Sequence, residues 1–273
     1  TGDPTTLAPQ LQKLRGQFHL QRMVLVGDRG LLTDARIRAE LQPVPGLDWV
    51  SALRRPAIQE LVKAGALDLT RLAETDVLEF TAPTYPQERL IACRNPLLAL
   101  ERARKREALL QATERELDAI VQATTRTTRR LTGQAAIALR VEKVRNRFKM
   151  GKHFQIAITD TQLRYTRDTQ RLAADAALDG VYVVRTSVSG ETLSPERTVG
   201  AYKSLAAVER AFRSLKTVDL YVRPIGHRLT ERVRAHVFLC MLAYYVEWHM
   251  RQVLAPLLFD DDDKAAGEAR RTS

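Results

Sequence analysis

Met23-Val24-Leu25-Val26-Gly27-Asp28-Arg29-Gly30 is the stretch on which the fold turns. Four apolar residues in a row, without alternation, are the pattern of a short strand covered on both faces in a parallel or mixed sheet. The Gly-Asp-Arg-Gly that follows closes the strand in a turn. Upstream, residues 6–16 (TLAPQLQKLRG) read as a short amphipathic helix with Gly16 at its cap. Downstream, a helix is predicted at about 33–41 and a strand at about 47–53 (LDWVSAL). This alternation of helix and strand points to an α/β sheet. Asp28 falls at the carboxyl end of its strand, where open α/β sheets place ligand-binding groups. An Asp in that setting also serves as a helix cap or turn former.

Beyond Arg54 the pattern changes. Short β-like pieces at 77–81 and 89–93 lead into a long charged helix predicted at about 97–123. Residues 153–158 (HFQIAI) and 162–166 (QLRYT) alternate like a hairpin around Asp160-Thr161, and 181–188 (VYVVRTSV) reads as another strand. Helices are predicted at about 195–216 and 229–254, and the tail from Asp260 has the composition of a disordered segment. The 273 residues suffice for a large core, with 45% apolar and 27% charged residues, which excludes a disordered or collagen-like chain.

The charge is less ordinary. With 43 Lys and Arg against 32 Asp and Glu, the formal net charge is +11, a balance that favours a polyanionic partner. Residues 101–149 hold 13 basic and 6 acidic side chains, and residues 203–234 hold 8 and 3, two blocks that could line a groove for duplex DNA. Cys93 and Cys240 are too few for a disulfide framework or thiolate metal site. The uncharged run Val237–Val246 is too short to span a bilayer. His153, His227, His236 and His249 have no metal-ligand spacing, and Trp49 and Trp248 read as core or interface residues.

On the helix predicted at 195–216, Tyr202, Glu209 and Lys216 follow one another at seven-residue steps, so they form one polar stripe. Leu205, Val208, Phe212 and Leu215 form a separate apolar stripe expected to dock on a core. Arg213 lies on the other side of the polar stripe and Arg210 farther round. Such a stripe also serves simply as a solvated, charge-paired face.

Together, Val24-Leu25-Val26-Gly27-Asp28-Arg29-Gly30 and the stretch from Tyr202 to Lys216 resemble the DDE transposases of bacterial insertion sequences, in the group with the signature Tyr-x2-Arg-x3-Glu-x6-Lys. Tyr202, Glu209 and Lys216 match that spacing. Leu205 stands at the arginine position, which leaves Arg210 and Arg213 as candidates for its phosphate contact. Similarity extends over Val222–Ile225 and Arg232–Leu239, and so over about residues 2–258.

The resemblance implies an RNase H-like mixed sheet with flanking helices, interrupted by a large α+β insertion. Residues 1–55 and 199–258 would belong to that core, 56–198 to the insertion and 259–273 to a tail. Asp28 and Glu209 would be the second and third catalytic acids and metal ligands, with Tyr202, Arg210, Arg213 and Lys216 on DNA. The first acid should precede Asp28 by several strands, and only 27 residues stand before it. The first strands are therefore expected to be missing, and the chain to be inactive alone. The implied chemistry is Mg²⁺-dependent cleavage and strand transfer, in which two ions about 4 Å apart serve the attacking and leaving oxygens. Hard divalent ions of this kind take carboxylate oxygens. The implied partners are duplex DNA, as transposon ends and target, and a second copy of the chain assembled on DNA. The implied location is the bacterial cytoplasm, at the nucleoid. The competing reading is a non-catalytic DNA-binding or oligomerisation remnant, and an RNA-binding domain lacks the aromatic strand motif that would support it.

Overall fold

The computed structural model describes residues 7–218, 220 and 222–258. The chain divides into two compact units at the Tyr202/Lys203 junction. In chain order the first runs α1 (Leu7–Phe18), β1 (Met23–Val26), α2 (Asp34–Arg36, continued by a π-helical turn, Ile37–Leu41), β2 (Leu47–Ala52), α3 (Arg55–Lys63) and α4 (Leu69–Glu74). It continues with β3 (Val77–Phe80), β4 (Arg89–Arg94), α5 (Pro96–Thr125), α6 (Gln134–Phe148), β5 (Phe154–Ile158), β6 (Leu163–Arg167), α7 (Thr169–Ala177), β7 (Val181–Thr186) and α8 (Pro195–Lys203).

Five strands form one mixed sheet in the order β1-β2-β7-β4-β3, with β1 parallel to β2 and the remaining pairs antiparallel. Alternation in β4 and β7 splits their side chains between two cores. Leu90, Ala92 and Val183 face α3 and α4 through Ile58, Leu61, Leu67 and Leu72, while Ile91, Cys93 and Val184 meet Val50 and Val199 of α8 on the other face. Both faces of these central strands are therefore covered, and each fully buried Val, Leu or Ile side chain contributes about 1.5–3 kcal/mol. Strand β1 is not covered in this way. Among the described residues it pairs only with β2, and Val24 is 47% exposed. The unbroken apolar run is therefore that of an edge strand, with Met23 and Leu25 packing on the cluster formed by α1, Ile37, Leu41 and Trp49.

Residues 56–198 supply β3, β4 and β7 to the same sheet as β1 and β2. The part that stands apart runs from α5 to β6. There α5 and α6 pack on the β5–β6 hairpin around Leu117, Ile137, Val141, Phe154 and Leu163. Asn95 caps α5 by accepting the Leu98 amide at 3.1 Å, and Asp68 and Asp168 cap α4 and α7 in the same way.

Three expectations need correction. Gly16 does not end α1, which runs on to Phe18 because the left-handed residue that closes it is His19 (φ 53°), not Gly16. The helix expected over 195–216 is interrupted at Ser204, whose carbonyl accepts the amides of Ala207 and Val208 as a new helix begins. The second unit accordingly opens with α9 (Leu205–Arg213), followed by a π-helical turn at Ser214–Val218 and α10 (Thr230–Leu258). Finally, the apolar stripe of α9 is unevenly covered: Leu205 and Leu215 are half-buried, whereas Val208 is 49% and Phe212 54% exposed. The tail at 259–273 lies outside the described residues.

Candidate active site

The end of β1 is shaped by one close approach. Gly27 extends the parallel ladder by donating its amide to the Val50 carbonyl at 3.0 Å. A Cβ at Gly27 would come within 2.7 Å of Leu32 Cγ, and Leu32 is only 2% exposed. The chain can therefore reverse over Leu32 only if residue 27 lacks a side chain. Asp28 follows on the surface, and its Oδ1 accepts the amides of Gly30 at 3.1 Å and Leu31 at 2.6 Å, while its carbonyl accepts Leu32 N at 2.9 Å. This fixes the carboxylate by its own turn. Asp28 Oδ2 makes no hydrogen bond to any described residue.

A charged cluster anchors the next turn of chain. Arg185, on β7 and nearly buried, donates Nε and Nη2 to the two carboxylate oxygens of Glu88 at 2.6 and 2.5 Å, and its Nη1 pairs with Asp34 at the start of α2. The guanidinium also lies 4.8 Å from the Tyr85 ring centre. Burial alone would pull the arginine pKa down, but the Glu88 and Asp34 carboxylates outweigh it and hold it above its ordinary value. Burial pushes the Tyr85 hydroxyl up, with Asp34 adding to the effect. Arg54 holds the turn from another side, donating Nη2 to the Arg29 carbonyl at 3.3 Å. Sequence reasoning missed this cluster. Its signal was a lone Arg inside VYVVRTSV, a run otherwise fit for burial.

Tyr202, on α8, packs against the cluster formed by Val50, Ile91, Val184 and Val199, and Val26 packs against that same cluster. The structure thus brings Tyr202 to the apolar layer under the strand that ends at Asp28. In the second unit, Glu209, Arg210, Arg213 and Lys216 are all exposed. The Lys216 ammonium lies 5.7 Å from the Phe212 ring centre. The break at Ser204 leaves Tyr202 in α8 and Glu209 in α9, on two helices rather than on one stripe.

No three His, Cys, Asp or Glu side chains among the described residues are grouped as a metal-ion site. Asp28 offers one hard oxygen, Oδ2, suited to a divalent ion, while Oδ1 is already engaged by its turn. Of the histidines, His153 is buried beside Asp175, and His227 and His236 face each other with ring centres 5.7 Å apart. Trp49 is a core residue, and Trp248 is 46% exposed. No helix among the described residues is long and apolar enough to cross a membrane.

Residues 1–246 match the family model described as the transposase DDE domain. The chain belongs to the DDE transposases. Neither the curated proteins nor the solved structures yielded a match. Membership brings with it the reaction class of the DDE transposases, nuclease and transposition chemistry on DNA, for which that family generally uses divalent metal ions. The mixed sheet and flanking helices of this transposase are consistent with the RNase H-like core of such domains.

Proposed function

We propose that this transposase domain takes part in Mg²⁺-dependent cleavage of DNA strands and their transfer to a target, with Asp28 and Glu209 as carboxylate ligands on an RNase H-like core. The observation that carries this reading is the fixed turn after β1. It presents Asp28 at the carboxyl end of a sheet strand with Oδ2 unengaged by any described residue, in a chain matched to the transposase family over residues 1–246. Bound divalent ions would supply charge stabilisation at the attacking and leaving oxygens of the phosphodiester. The protein's share is to hold the ligands and the DNA. The Gly30 and Leu31 amides orient Asp28, so little ordering cost remains when an ion binds. Tyr202, Arg210, Arg213 and Lys216 act on phosphate oxygens and carry no sequence information. Arg210 and Arg213 stand in for the signature arginine whose place Leu205 occupies. On duplex DNA the chain pairs with a second copy.

Titration with Mn²⁺, followed by its electron paramagnetic resonance signal in the presence of a DNA duplex, tests the ligand assignment. Wild-type chain is expected to bind the ion, and Asp28→Asn and Glu209→Gln each to weaken it at least tenfold, with unfolding midpoints unchanged. Equal binding by wild type and both variants overturns the assignment.

A further inference from the structure

Helix α5 carries Arg104, Arg115 and Arg126, the last at its C-cap, at steps of eleven residues. Eleven residues at 100° each fall about 20° past three full turns, so the three Cα atoms lie nearly in line along the helix. The face packed on the insertion core carries Leu110, Thr113, Leu117, Ile120 and Thr124, and the arginine line falls on the opposite side. All three arginines are exposed. Between them the same line carries Ala108, Gln111, Ala119 and Gln122, none of them charged.

What distinguishes this ridge from an ordinary solvated helix is where the acids of α5 go. Glu107 and Glu114 are both held bidentately by Arg167 of β6, at 2.9–3.0 Å and 2.6–2.7 Å. That guanidinium is held well above its ordinary pKa, first by Glu114 and then by Glu107. Asp118 accepts the Tyr165 hydroxyl, Glu116 pairs with Arg147 of α6 at 3.0 Å, and Glu101 pairs with Lys105. The acids are thus turned to the flanks and engaged there, whereas Arg104, Arg115 and Arg126 form no ion pair among the described residues. Three exposed arginines of α5 thus stand without a carboxylate partner along one straight edge.

We propose that this edge is a rail for the phosphate backbone of duplex DNA. With a rise of about 1.5 Å per residue, Arg104 and Arg126 stand about 33 Å apart, with Arg115 midway. One turn of B-form DNA is about 34–36 Å, so the outer arginines meet the same strand one turn later. Arginine is suited to this because its planar fork bonds phosphate oxygens bidentately. Such contacts fix register and carry no base preference. The proposal rests on the reading of the chain as DNA-binding and adds which surface holds the duplex and in what register.

The test measures duplex affinity against salt for the full chain, with Arg104→Gln/Arg115→Gln/Arg126→Gln beside it and Lys105→Gln as a comparison whose ammonium is already paired. Loss of three phosphate contacts is expected to reduce the slope of log K against log salt by about 2–3, equally on unrelated sequences. Lys105→Gln is expected to change it by less than half a unit. Circular dichroism and thermal midpoints matching wild type exclude misfolding as the cause. A triple variant with the wild-type slope overturns the rail while leaving DNA binding standing. A wild-type chain without salt-dependent duplex binding overturns both.

Discussion

Gly27 shapes the turn that presents Asp28 by taking up no room, and Arg185 holds the start of α2, six residues farther on, through Asp34. Gly27→Ala places a methyl group against Leu32 Cγ inside a packed layer, and is expected to cost about 1–3 kcal/mol in urea denaturation. A second substitution that shortens Leu32 should recover part of that loss. Arg185→Met strands the buried Glu88 carboxylate, and about 3–5 kcal/mol of stability should disappear. In Arg185→Met/Glu88→Leu the charge goes with its partner, so the double variant is expected to be more stable than Arg185→Met alone. Destabilisations that simply add would show that the two side chains do not act as a pair. The place of Asp28 was legible from sequence, because Gly-Asp-Arg-Gly after four apolar residues closes a strand in a turn. Glu88 was not, because a Glu in a loop, in Pro86-Gln87-Glu88-Arg89, gives no sign that a strand a hundred residues later will bury it.

At the scale of elements, Asp175 of α7 pairs with Arg55 of α3 and with Lys152, and beside it His153 is buried in the short turn before β5. Its Nε2 lies 3.3 Å from Asp175 of α7, and Lys152, Arg106 of α5 and Asp168 also face it. Burial, followed by the Lys152 charge, holds its pKa below the ordinary 6.5 despite the pull of Asp175. A histidine with a depressed folded pKa binds fewer protons folded than unfolded, so its contribution is present above pH 6.5 and is lost as the pH falls below it. Stability of the wild-type chain should therefore decline on acidification from pH 7 toward 5.5, and His153→Gln should flatten that slope. A His153→Gln chain as pH-sensitive as wild type would contradict this. Elements with a strong local signal were readable: the five sheet strands, the β5–β6 hairpin and α5 lie within a few residues of their expected positions. Helices α3, α4, α6 and α7 are short or weakly patterned and were not. The division between α8 and α9 had no sequence marker, since Ser204 keeps helical dihedrals and the chain around it favours helix.

Across the whole molecule, part of the net charge of +11 acquires a location on α5. Acids on α5 are engaged by Arg167, Tyr165, Arg147 and Lys105, and Arg104, Arg115 and Arg126 line a single edge. Periodicity alone could place those arginines on one face, but the neutralising partners come from β6 and α6, which no local pattern in α5 specifies. The edge position of β1 was hidden for a similar reason, since four apolar residues look the same whether one or both sides of a strand are covered. The family, by contrast, was legible in two short segments at opposite ends of the chain. The claim that joins them is that Asp28 and Glu209 serve a divalent ion, and replacing Mg²⁺ with Fe²⁺ tests it most directly. With ascorbate and peroxide, bound Fe²⁺ generates hydroxyl radicals that cut the polypeptide next to the ion. The account expects cuts beside residue 28 and beside residue 209, suppressed by excess Mg²⁺ and lost together in Asp28→Asn. Cuts at neither place, or cuts unaffected by that substitution, would contradict it.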